Sequence, residues 1–340
     1  MPTQPLLSVV LFTLHATALS YWIAPDCPIG VVQAINEVRW TAAHLVEAMQ
    51  NYNPAQDTQF KDPLTWFFNI DAAANVEEFN VIEVFYHSVA SLKRTDNQGA
   101  SDIRIHCDNE KRYLAQPNNV EMADDDPNFK TTTFVDALNE DIVPGTALTC
   151  RGSKDTYAAT SVEISERWDK HRGASSQSRR RVVIDICDLL HNRKETSTIR
   201  DLAEKPALAD LRGLYVLGAS YFTIMHEFAH VPRMSAFKLN RRRHEGGTDW
   251  HNGINGYYEN DDTLPFNNLR LPLYMLANPD SYNFFALVFR LRMRGWEVRM
   301  VTGSLKLFYN KDLPVVEDWP SAEPEWSDHV TVGANVPQSP

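Results

Sequence analysis

The pentapeptide His226-Glu227-Phe228-Ala229-His230 carries the densest chemistry in this chain. On an α-helix, residues four apart share a face, so the imidazoles of His226 and His230 can meet at one point while Glu227 projects beside them. Two imidazoles at that spacing suit zinc, which in a catalytic site takes three protein ligands and keeps a fourth position for water, whose pKa falls to roughly 7. Glu227 is too close to His226 to share the ion comfortably. It is placed to take a proton from that water and pass it to a leaving amine. A third ligand must come from elsewhere. The bland alternative is a packed or solvated histidine pair, and the surrounding segment argues against it. Leu214 to Val231 (LYVLGASYFTIMHEFAHV) is apolar and free of proline, and Pro232 stops it directly after the motif. Gly213 and Gly218 leave the start of this helix open.

Other elements must hold that helix. Gly30 to Tyr52 places Val31, Ile35, Val38, Ala42, Leu45 and Met49 at helical spacing, with Glu37, Arg39 and Glu47 off the stripe, and so predicts an amphipathic helix. A second helix is expected over Val76 to Leu92, with Pro54 and Pro63 as breaks between the two. Asp102 to Cys107 (DIRIHC) and Arg181 to Cys187 (RVVIDIC) alternate and are rich in β-branched residues, which predicts strands. Gln116 to Asp126 and Arg167 to Arg180 read as loops, and Arg233 to Asn268 as polar and irregular. Asp280 to Arg294 (DSYNFFALVFRLRMR) predicts a last helix, with Asp280 as N-cap and Gly295 as stop. Past Leu313 the chain is acidic and proline-rich, and residues 314–340 read as a mobile tail.

Composition bounds the rest. With 340 residues, 43% of them hydrophobic, the chain can bury a full core, which excludes a disordered or repeat protein. A formal charge of −11 argues against a nucleic-acid surface, and the triplets Arg179-Arg180-Arg181 and Arg241-Arg242-Arg243 read as solvated loops. Pro5 to Ser20 (PLLSVVLFTLHATALS) is too short to span a bilayer and offers Ala18-Leu19-Ser20 or Ala16-Thr17-Ala18 for cleavage. Residues 1–20 therefore read as a secretory signal, with a buried first helix as the alternative. Cys27, Cys107, Cys150 and Cys187 form no CxxC pair, and in an exported chain an even count suggests two disulfides among three connectivities.

Beyond the helix lie Gly246-Gly247-Thr248-Asp249, then Gly256-Tyr257-Tyr258, then Ala277-Asn278-Pro279-Asp280-Ser281-Tyr282. Together with HEFAH these resemble the deuterolysin-like fungal zinc metalloendopeptidases, the aspzincins. There HExxH is followed by a Gly-Thr-x-Asp-x-x-Tyr-Gly element whose aspartate is the third ligand, and by an Asn-Ala-Asp-x-Tyr element opening the last helix. The Asp26-Cys27 start and the segments Ile105-His106-Cys107-Asp108 and Ile186-Cys187-Asp188 are also similar to family elements, so the resemblance spans residues 26–294. It implies disulfides Cys27 to Cys107 and Cys150 to Cys187, zinc on His226, His230 and Asp249, Glu227 as base, and Tyr257 at the oxyanion with Tyr258 close behind. Asp280 would line the substrate pocket or hydrogen-bond a zinc ligand. Thr248 and Asp249 are adjacent here where the family has one residue between them, and Tyr257 follows Asp249 by eight. His251, Glu259, Asp261 and Asp262 thus remain alternative ligands. Asn283 stands where lysine-specific members carry an acidic residue.

The expected fold is α+β and zincin-like, helix-rich with a small β-sheet, and forms a single domain over residues 21–300. The expected activity is that of a secreted, extracellular and monomeric zinc metalloendopeptidase acting on proteins or peptides, without nucleic acid or stable membrane insertion. A secreted zinc-binding effector protein on the same fold is the alternative. A third reading is another HExxH hydrolase. Arg233 and Ala236 occupy the positions where a metzincin has glycine and histidine.

Overall fold

Short β-branched runs separated by long apolar helices are expected to lie side by side with the helices on their faces. A computed structural model describes residues 18–53, 60–123, 126–139, 141–145, 148–151, 156–162, 182–191, 219–231, 234, 275–276, 278–301 and 304–309. Five strands form the central sheet: β1 (Ser20–Ile23), β2 (Lys93–Arg94), β3 (Ile103–His106), β7 (Ala158–Val162) and β8 (Val182–Ile186). Their order is β2-β1-β3-β8-β7, parallel except for β7, which runs antiparallel at the edge. Between β1 and β2 the chain crosses through α1 (Ile29–Gln50), α2 (Lys61–Phe68) and α3 (Val76–Ala90). A second, three-stranded antiparallel sheet holds β4 (Leu114–Ala123), β5 (Asp126–Asp136) and β6 (Asp141–Pro144). The short α4 (Asp188–His191), then α5 (Ala219–Ala229) and α6 (Pro279–Met293), precede a hairpin of β9 (Trp296–Val301) and β10 (Ser304–Tyr309).

The fold is mixed α/β, with more sheet than expected. Gln116 to Asp126, read as a loop, lies mostly within β4, and its last residue opens β5. A polar hairpin is held by its backbone ladder and offers no apolar alternation to read. Pro63, read as a break, sits in the first turn of α2, where a missing N–H costs nothing. Asp280 is not an N-cap, because the Asn278 side chain accepts the Asp280 N–H at 3.0 Å and Pro279 opens the first turn. Gly295, at φ 80°, does end α6. Expectations for residues 1–17, Arg167 to Arg180, Pro232, 235–268 and the chain beyond Leu313 fall outside the described residues.

The period of two in each strand divides the central sheet into an apolar and a polar face. Tyr21, Ile23, Ile103, Ile105, Val182, Ile184 and Ile186 point into one core with α1, α3, α5 and α6. Both disulfides, Cys27–Cys107 and Cys150–Cys187, close beside this sheet with Cα separations of 5.0 Å. Lys93 and Arg94, which resemble a processing site, pair with Ser20 and Tyr21 as β2. Cleavage there would open the sheet.

The opposite face carries Arg104, His106 and Asp185, all buried. Arg112 holds Asp185 through both guanidinium Nη atoms and donates to Asp108 at 2.8 Å and to Asp136 at 2.5 Å. Arg104 is a pure donor and gives a hydrogen bond to Asn139 Oδ1 at 2.9 Å, which fixes the amide so that its nitrogen donates to His106 Nε2 at 3.1 Å. The imidazole is therefore neutral, with its hydrogen on Nδ1. Burial first, and then the Arg112 charge, push His106 down to about 4. In the unfolded chain the imidazole takes a proton below its ordinary value of 6.5, so stability is lost as pH falls from 6.5 towards 4. Replacing His106 with Gln keeps an acceptor for Asn139 and removes that loss. Urea unfolding should show the difference between wild type and variant changing by up to about 3 kcal/mol across this window. Parallel pH profiles would refute the assignment.

Candidate metal centre

Burial along α5 follows the motif. Tyr221, Phe222, Ile224, Met225, Phe228 and Ala229 are buried, while Thr223, His226 and His230 are half-buried. The histidines thus occupy the one stripe of the described helix that opens towards solvent, at the i and i+4 positions that the sequence implies. Their Nε2 atoms lie 3.1 Å apart and their ring planes meet at 73°. Two nitrogens bound to one tetrahedral zinc stand roughly 3.3 Å apart. The pair therefore converges at a spacing that a single ion would bridge.

Asp280 fixes which nitrogen faces that point. Its Oδ1 accepts from His226 Nδ1 at 2.9 Å, leaving Nε2 of the neutral ring with its lone pair outward. Helix packing sets this contact. Phe222, one turn before His226, meets Phe284, one turn after Asp280, at 5.6 Å between ring centroids. The Tyr86 hydroxyl donates to the Tyr282 carbonyl at 2.7 Å and anchors the start of α6. Burial works against the charged form of His226, but the Asp280 hydrogen bond and the Glu227 and Asp280 charges outweigh it and raise its pKa. Burial likewise opposes ionisation of Asp280, and its contacts with His226 outweigh that and lower its pKa. Asn283 donates weakly to Asp280 at 3.4 Å.

Glu227 lies on the flank of the pair and is only 5% exposed. The Thr160 hydroxyl, on edge strand β7, donates to Glu227 Oε2 at 2.5 Å. Nothing local in the sequence marks this contact, because 67 residues separate the partners.

No family model matches the chain, and neither does a curated protein or a solved structure. Among the described residues no group of three or more His, Cys, Asp or Glu side chains is placed to hold a metal. Asp249, Tyr257 and Tyr258, with the alternatives His251, Glu259, Asp261 and Asp262, lie outside the described residues. The structure thus brings His226, His230, Glu227 and Asp280 together. The donor chemistry, two imidazoles with one backed by a carboxylate, fits zinc.

Proposed function

We propose that this chain is a secreted zinc-dependent endopeptidase of the zincin type, related to the aspzincins. The convergence of His226 Nε2 and His230 Nε2 at 3.1 Å, with Asp280 behind the first ring, carries the reading. His226, His230 and Asp249 would hold zinc, which supplies Lewis acidity for a carbonyl and acidifies water. Glu227 takes a proton from the attacking water and delivers it to the departing amine. Tyr257, by the resemblance, steadies the oxyanion. The β7 edge strand runs beside Glu227, so a substrate in extended conformation can add to the sheet there by backbone pairing.

The test is cleavage of a proteome-derived peptide library by the purified protein, with bound zinc quantified. Cleavage lost on chelation and restored by zinc supports the peptidase. Tight zinc binding without cleavage would replace it with the zinc-binding effector reading. Asp280→Ala should weaken zinc binding about 10- to 100-fold through loss of the carboxylate on Nδ1. Unchanged affinity in a competition titration would remove Asp280 from the site.

Export is supported by the two disulfides, which persist in an oxidising compartment. Among the described residues no helix is long and apolar enough to cross a membrane. The Leu19 carbonyl accepts from Lys93 N–H at 2.9 Å, and the Ser20 N–H donates to Asp102 Oδ2 at 2.9 Å. Of the two cleavage points, the one after Ala18 keeps both of these contacts. Mass spectrometry of the exported protein should find Leu19 at its N-terminus, and a start at Tyr21 would refute this.

A further inference from the structure

One register row crosses the apolar face of the central sheet through Ile23, Ile105, Ile184 and Thr160, each aligned with the next. The first three are buried isoleucines of the core. At the fourth place the row keeps a β-branched side chain but carries a hydroxyl where isoleucine has its ethyl arm, on the face where β7 meets α5. A hydroxyl turned towards a helix interface needs a partner. Here the partner is Glu227, with Oε2 at 2.5 Å and the main-chain carbonyl oxygen at 3.3 Å. A hydroxyl has one hydrogen to give, and the shorter distance assigns it to the carboxylate.

We propose that Thr160 is a positioning residue that holds the Glu227 carboxylate in place for proton transfer. The inference rests on the peptidase reading. Glutamate has three rotatable side-chain bonds, and α5 fixes only its Cα. The hydroxyl engages Oε2, so the other oxygen is left to take and return the proton, and the carboxylate cannot swing off line. Antiparallel pairing of Thr160 with Ile184 ties the edge strand that carries the hydroxyl to β8, whose Ile184 is buried in the core. The strand proposed to receive substrate backbone is thereby the strand that aims the base. Thr160 itself exchanges no proton with substrate.

Thr160→Val puts a methyl of similar size in place of the hydroxyl and keeps the β-branched shape. It should lower kcat about 10- to 100-fold, leaving KM and zinc content unchanged, because a misplaced catalytic group loses rate rather than binding. Thr160→Ser should recover most of the rate. A second readout needs no activity. In metal-free protein, Thr160→Val should shift the melting midpoint by about 2–4 °C in the wild-type background. In a Glu227→Ala background that shift should disappear. An active wild type with an equally active Val variant, or additive melting shifts, would overturn the positioning role alone. A Ser variant as slow as Val would do the same. A wild-type protein that binds zinc and cleaves nothing would overturn the peptidase reading, and the positioning role with it.

Discussion

Glu227→Gln should lower kcat by about 10²- to 10⁴-fold while zinc stays bound, the loss expected when a positioned general acid–base group is removed. At 1.36 kcal/mol per decade this is about 3 to 5 kcal/mol of transition-state stabilisation. The side chains have nearly the same shape. Gln can still accept from Thr160 through its amide oxygen, so the β7 to α5 contact survives. On the proposed peptidase reading, what is lost is the ability to take a proton from water and give it to an amine. His226 and His230 are untouched, and Asp280 still holds the His226 ring, so zinc content and KM should follow the wild type. Steady-state kinetics on one cleaved peptide, run beside zinc quantification, decides the matter. A Gln variant that cleaves at the wild-type rate would remove Glu227 from the chemistry. Loss of zinc in the variant would instead make Glu227 part of the metal shell.

Elements were legible in the sequence where a local pattern suffices. The described part of the HEFAH helix, Ala219–Ala229, the α1 stripe, α3 and the β-branched cores of β3 and β8 all stand within the segments where local period puts them. The two disulfides match the pairing implied by the aspzincin resemblance. Elements whose signals are non-local or absent were not legible. The β4 to β5 hairpin is polar, and its backbone ladder leaves no apolar trace. Pro63 punctuates the chain everywhere except in a first helical turn, which is where it sits. Thr160 meets Glu227 only through a register that places it opposite Ile184 and against α5, which no local pattern marks. Asp280 shows the middle case. The capping position belongs to Asn278, and the carboxylate freed from capping reaches His226. Packing between α5 and α6 decides which of these two roles the side chain takes.

Glu37 lies off the apolar stripe of α1, yet it is 2% exposed and meets Arg290 of α6, also 2% exposed, with Oε1 to Nε at 3.2 Å. The stripe marks one face, but α1 is buried on two, and the partner lies 253 residues away. Arg290 also stacks over the Trp40 ring at 4.6 Å. Removing one partner leaves the other charge buried without this ion pair, which is far more costly than the pair itself is worth. Arg290→Met should therefore destabilise the protein by about 3–5 kcal/mol. Replacing both residues, Glu37→Leu with Arg290→Met, should recover most of that loss, because apolar side chains of similar volume need no compensating charge. Urea unfolding with the disulfides intact measures both. A single variant within about 1 kcal/mol of wild type, or a double variant no better than the single, would contradict the account. The consequence reaches the proposed metal centre, because Arg290 and Asp280 share α6, and α1 and α6 both belong to the core that holds α5. Loosening α6 moves the carboxylate that orients His226, so the single variant should also bind zinc more weakly, while the double variant, with its helices packed again, should bind as the wild type does.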